Sequence, residues 1–152
     1  VVHRWLQRIA EDELKGWDAQ RIASLHAAFE RDLARRGVQE AGPAAERVAA
    51  ALTRTLLDAR GRWLLGPHAE AKSELRLRTR ERSLVIDRFF IDADGRRWVV
   101  DFKTSSHEGG RLEAFLDEQR RRYAAQLDAY AEALGGASRG LYFPLLGGWR
   151  EW

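Results

Sequence analysis

The sequence predicts an α/β domain, a central mixed β-sheet flanked by helices. Three observations carry that prediction. Residues 84–103 read as two apolar strands joined by a turn, and β-branched and aromatic residues dominate both arms, which favours strand over helix. Apolar residues at helical spacing fill residues 1–61 and return over residues 111–134. A last apolar stretch, Leu141-Tyr142-Phe143, follows that second helical region. A crossover helix between two strands adds the later one by a right-handed connection, which makes the sheet mixed.

In chain order, Val2, Trp5, Leu6 and Ile9 give the helical spacing of residues 1–14, and Gly16 breaks it. Asp18 can cap a second helix running to about Arg36, with Ile22, Leu25, Phe29 and Leu33 on one face. Residues 37–43 form a break. A third helix starts at Gly42-Pro43, carries Val48, Ala51, Leu52, Thr55 and Leu56, and ends near Gly61. Trp63-Leu64-Leu65 is expected to pack over a core edge, and Gly66-Pro67 to turn. His26 and His68 read as packing or solvated histidines.

Residues 73–79 alternate, with Glu74, Arg76 and Arg78 on one face and Leu75 and Leu77 on the other, as in a half-buried strand. The hairpin follows. Its first strand holds Leu84-Val85-Ile86, Asp87 and Phe89-Phe90-Ile91. Asp92-Ala93-Asp94-Gly95 makes the turn, where Gly accepts positive φ. The second strand is Trp98-Val99-Val100-Asp101-Phe102-Lys103. Residues 104–110 are a Ser/Gly connecting loop containing His107. The helix of residues 111–134 ends at Gly135-Gly136. Trp149 and Trp152 are expected to pack back on the domain or on further partner residues.

A length of 152 residues suits one domain with a real core. Hydrophobic content of 45% with 32% charged residues excludes a disordered chain. No apolar run reaches the roughly 18 residues that span a bilayer, and no signal-peptide pattern is present. The absence of Cys removes disulfides and cysteine-ligated zinc, and fits a reducing, cytoplasmic compartment. The absence of Met makes a fragment of a longer protein the expectation. A net charge of +3 and a pI near 9.7 favour a polyanionic partner, although a high Arg count also arises from genomic bias.

Asp101 and Lys103 are two apart on a strand and so project from one face, with Asp87 able to approach across the hairpin. Two carboxylates and an ammonium so placed can hold a divalent metal beside a group that handles water or a proton. An ordinary salt bridge on the exposed face of a hairpin would use the same residues. Of 26 Lys+Arg residues only Lys15, Lys72 and Lys103 are lysines. Lys is a compact charge whose pKa can shift, unlike the planar Arg fork. That choice leans toward the metal site.

Ile-Asp-Arg on one strand and Val-Val-Asp-Phe-Lys-Thr on the next resemble the nuclease domain of the RecB-type exonucleases, in the PD-(D/E)XK superfamily. The Gln-x-x-x-Tyr pattern of Gln126 and Tyr130 and the helical His3 fall in the family's order, so the resemblance spans residues 3–130. Leu84 departs from it, standing where many relatives have Gly. The resemblance implies a restriction-endonuclease-like fold and a metal-dependent deoxyribonuclease, of the exonuclease kind. His3, Asp87, Asp101 and the Phe102 carbonyl would be its metal ligands, with Mg²⁺ or Mn²⁺ as the ion. Lys103 would act on the attacking water, and Gln126 and Tyr130 would position helix and DNA. Arg88, Arg120, Arg121 and Arg122 would contact phosphates, with Glu74 a secondary acidic candidate. The implied partners are DNA, UvrD-like helicase domains in the same polypeptide and a further complex subunit, with a role in end processing, recombination or repair. A catalytically dead DNA clamp and a structural module that docks on a helicase are the alternative readings.

Overall fold

The spacing of Val2, Trp5, Leu6 and Ile9 winds α1 (Val2–Glu11) and buries all four residues. The computed structural model describes all residues from Val1 to Trp152. They separate into two units: Val1–Gly66 with Pro144–Gly147, and Pro67–Phe143 with Gly148–Trp152.

The first unit is helical. α2 (Ala19–Ser24) starts at the expected cap, where Asp18 accepts the Arg21 backbone N–H at 2.8 Å. The single helix expected as far as Arg36 is two helices, because Leu25 (φ −95°, ψ 5°) interrupts it before α3 (His26–Arg35). The apolar stripe survives the break, with Ile22, Phe29 and Leu33 buried. α4 (Ala41–Leu57) stops at Asp58, whose backbone is extended and whose side chain caps α5 (Ala59–Leu65). The third helix therefore ends before Gly61, and Trp63-Leu64-Leu65 closes α5. Trp5 meets the Trp17 and Phe29 rings edge-on at 6.3 and 5.0 Å.

The second unit holds the sheet, in the order β1 (Ala69–Arg78), β2 (Ser83–Ile91), β3 (Arg97–Phe102), β4 (Ser138–Phe143) and β5 (Gly148–Glu151). Only β3 and β4 pair in parallel, joined through α6 (Leu112–Ala133) as the crossover rule requires. The sheet is thus mixed, the α/β architecture that the sequence predicts. β1 begins at Ala69 rather than Ser73, with a bulge between Ala69 and Lys72. The Asp92 side chain ties the β2–β3 turn together by accepting the Asp94 and Arg96 N–H groups and Trp98 Nε1. Gly95 takes φ +78° there.

β5 is not expected from the sequence. It pairs with β4, and Trp149 covers Gly140, where an added Cβ would overlap the indole ring. Trp149 also lies 5.9 Å from Trp98, and Trp152 Nε1 donates to Asp128 on α6. The two C-terminal tryptophans therefore pack back on this unit.

Registers place Arg76, Arg78, Ser83, Val85, Asp87, Phe89, Val99 and Asp101 on one face of the sheet. α6 lies on that face. Its Phe115 ring is 6.3 Å from Phe143, and its Glu113 and Asp117 pair with Arg150. The opposite face carries the buried Ile86, Phe90, Trp98, Val100, Phe102 and Tyr142.

Candidate active site

The β2–β3 ladder runs from Ile91↔Arg97 to Arg88↔Val100 and stops there. One step further along, the register sets Asp87 and Asp101 opposite each other on the α6 face. Asp87 Oδ2 accepts the Phe102 backbone N–H at 2.9 Å, so a carboxylate takes the donor that a carbonyl would otherwise hold. On the β1 side the register runs on from Ser73↔Arg88 to Leu75↔Ile86, which sets Glu74, with φ +47°, opposite Asp87. Lys103 N, donating to Tyr142 O at 2.8 Å, keeps β3 tied to β4 beside these residues.

Asp101 is 3% exposed. Its Oδ2 is 3.3 Å from Lys103 Nζ, and its Oδ1 is buried with no hydrogen-bond donor. Burial above all, then the nearby Asp87 charge, pushes the Asp101 carboxyl up to about 6, while Lys103 pulls it back down. Lys103 is held from a second side, because its Nζ lies 3.8 Å from the centre of the Tyr123 ring on α6.

α6 supplies two more groups. Gln126 Nε2 donates to Tyr130 Oη at 2.8 Å across one turn. Burial first, then the charges of Asp101 and Asp87, pushes the Tyr130 phenol up to about 12. That phenol is therefore in the field of both carboxylates and stays protonated at neutral pH.

The structure thus assembles Asp87, Asp101, Lys103 and Tyr130, with Gln126 behind Tyr130. The Phe102 carbonyl belongs to the residue whose N–H binds Asp87. Tyr123 joins them, although the sequence marks it only as part of an apolar stripe. Its place three residues before Gln126 and seven before Tyr130, on one helix face, is the signal available.

His3 is exposed on α1 of the helical unit. No three His, Asp or Glu side chains form a group able to hold a metal ion. Glu74 is 51% exposed in its side chain and turns to Arg76 at 3.8 Å. Arg88 is 3% exposed, on the face away from Asp87, with Nη1 3.4 Å from Ser73 Oγ and its pKa lowered to about 10 by burial. On α6, Arg121 pairs with Glu118 at 2.7 Å, Arg120 lies over Trp152 and Arg122 over Tyr123. His107 stacks on Phe115 at 4.6 Å and bonds the Gly110 carbonyl, so its loop is anchored.

The donor set fits a hard divalent cation. Two adjacent carboxylates repel, a cation relieves that repulsion, and the donorless Asp101 Oδ1 offers a buried oxygen to it. Mg²⁺ commonly takes one or two protein carboxylates and completes its shell with water and substrate phosphate, so a third protein ligand is not required. No helix is long and apolar enough to cross a membrane. In a comparison with protein families, the PD-(D/E)XK nuclease superfamily matches residues 1–144, which include every residue of this site. No curated protein matches the chain.

Proposed function

The chain belongs to the PD-(D/E)XK nuclease superfamily, and from that premise we propose that it is a Mg²⁺- or Mn²⁺-dependent deoxyribonuclease hydrolysing phosphodiester bonds at Asp87, Asp101 and Lys103. The observation that carries this reading is the buried Asp101 carboxylate, with the half-buried Asp87 beside it and an ammonium 3.3 Å from Asp101. A surface salt bridge would not bury Asp101, leave one of its oxygens without a donor, or set a second carboxylate beside it.

Asp87 and Asp101 would hold the metal, with the Phe102 carbonyl and His3 as further proposed ligands. The bound ion would polarise the phosphoryl group and lower the pKa of a coordinated water. Lys103 has the complementary task. Pinned between Asp101 and the Tyr123 ring, its ammonium is a fixed donor for the attacking water and for charge developing on the phosphate oxygens. Tyr130, protonated and oriented by Gln126, can donate to a phosphate oxygen that approaches the carboxylates. Exposed Arg120, Arg121 and Arg122 extend the same helix with positive charge.

Exonucleolytic action on DNA ends, as one part of a helicase–nuclease polypeptide working in recombination or repair, is the biological setting that the sequence resemblance supports. The first test is cleavage of end-labelled single- and double-stranded DNA with Mg²⁺ or Mn²⁺ and with chelator. Metal-dependent loss of the label supports the reading. DNA binding without cleavage in either metal replaces it with a DNA clamp.

A further inference from the structure

The sheet face that carries Asp87 and Asp101 continues beyond them. On the β1–β2 hairpin the register sets Arg76 beside Val85 and Arg78 beside Ser83, all four exposed and all on the carboxylate side. The turn beyond is pinned at its neck. Thr79 N and Oγ1 both donate to Arg82 O, at 2.8 and 2.9 Å, and Arg82 N donates to Thr79 Oγ1 at 3.1 Å. Arg80 and Arg82 therefore project from a fixed loop. A groove of about 310 Å³ runs between this turn and α6 at Ala129, Glu132 and Ala133.

Charge is concentrated here. Residues 72–82 hold five basic and two acidic side chains, a net +3 that equals the charge of the whole chain. α6 nets −2 despite its arginine run. Arg76 has Glu74 at 3.8 Å, whereas Arg78, Arg80 and Arg82 have no carboxylate at ion-pair distance. β1 is an edge strand, and charges on such a strand discourage edge-to-edge pairing. That role would account for Lys72 and Arg76. It does not account for Arg80 and Arg82 in the turn, nor for an Arg82 charge felt by Tyr130 together with those of Asp101 and Asp87.

We propose that the β1–β2 hairpin is a DNA-backbone clamp, in which Arg76, Arg78, Arg80 and Arg82 hold phosphates on one side of the bond to be cut, without regard to sequence. The inference rests on the nuclease reading for the identity of the polyanion, and it adds the path that the strand follows. Arg82 stands five positions before Asp87, roughly 16 Å along the chain at about 3.3 Å per residue. That is roughly five base steps at about 3.4 Å each. The clamp therefore engages DNA that extends about that far past the site.

The test measures binding of the full chain to fluorescein-labelled DNA by anisotropy across a salt series, with chelator present so that nothing is cut. The wild type should lose affinity steeply with salt. The triple variant Arg78→Gln, Arg80→Gln, Arg82→Gln should bind at least about tenfold more weakly at low salt. Its log–log salt slope should be shallower by about 0.7–0.9 for each phosphate that is no longer neutralised. The Arg→Lys triple should bind nearly as the wild type does, because holding a phosphate needs the charge. Replacing Arg120, Arg121 and Arg122 by Gln should change the slope less. An unchanged slope in the Arg78/Arg80/Arg82 Gln variant, a larger effect from the α6 variant, or tight binding of RNA with none of DNA would each overturn the clamp. Cleavage is scored separately. Hairpin-dependent binding without cutting in Mg²⁺ or Mn²⁺ would remove the nuclease reading and keep the clamp, and cutting with hairpin-independent binding would do the reverse.

Discussion

Asp87 Oδ2 accepts the Phe102 backbone N–H at 2.9 Å, so one carboxylate both ends the β2–β3 ladder and stands beside Asp101. These two roles separate by mutation. Asp87→Asn keeps an oxygen acceptor for Phe102 and should fold with near-normal stability. Asp87→Ala leaves that N–H without its partner and should cost about 1–3 kcal/mol in urea unfolding. Both should weaken Mn²⁺ binding in calorimetry. Equal stability of the two variants would show that the hydrogen bond is not structural.

Asp101 makes the metal-free protein sensitive to pH. Its carboxyl sits at about 6 in the fold against an ordinary 3.8. Between those values the folded state keeps a proton that the unfolded state has released, so this group's contribution to stability falls as pH rises from about 4 to 6. The loss is at most about 3 kcal/mol, from about 1.4 kcal/mol per pKa unit. Asp101→Asn should flatten that slope in chelator. Divalent metal competes with the same proton, so its affinity should rise with pH through about 6. A stability slope identical in wild type and Asp101→Asn would refute the assignment.

Tyr123 should act through Lys103. A cation–π interaction is worth about 0.5–2 kcal/mol, so Tyr123→Ala should slow turnover by roughly 3- to 30-fold and Tyr123→Phe, which keeps the ring, far less. The readout that a merely structural role would not move is the double-mutant cycle. In a Lys103→Ala background, Tyr123→Ala should slow turnover little further, because the group it positions is gone. Additive losses in the double variant would leave the ring with no role at Lys103.

Gly140→Ala tests the unexpected fifth strand. The new methyl would overlap the Trp149 indole. It should displace β5 or cost about 1–3 kcal/mol as overpacking. Wild-type thermal stability and unchanged tryptophan fluorescence would mean that β5 does not pack as described.

The parts of this chain legible in the sequence are those governed by local pattern. Alternation and β-branching mark β2 and β3, and the 3.6-residue period marks α6 as the crossover. The breaks at Leu25 and Asp58 are hidden because the apolar stripe continues through both. β5 is hidden because Gly-Trp-Arg-Glu carries little strand pattern of its own and forms by pairing with β4. At the site, the spacing of Asp101 and Lys103 foretells a shared face. The Tyr123 ring over Lys103 and the burial of Arg88 depend on how α6 and the sheet pack, which no spacing along one element discloses.

The central claim is that Asp87 and Asp101 hold a metal while Lys103 serves the chemistry, and one paired measurement on wild type and Lys103→Ala tests it most directly. Mn²⁺ binding and the rate of DNA cleavage in Mg²⁺ or Mn²⁺ are recorded for both proteins. An ammonium has no lone pair to give, so Lys103→Ala should bind metal as the wild type does. Its cleavage should be slower by about 10²- to 10⁴-fold, and Lys103→Arg should not restore it. If the wild type binds metal and DNA yet cuts no faster than Lys103→Ala, the catalytic account is wrong.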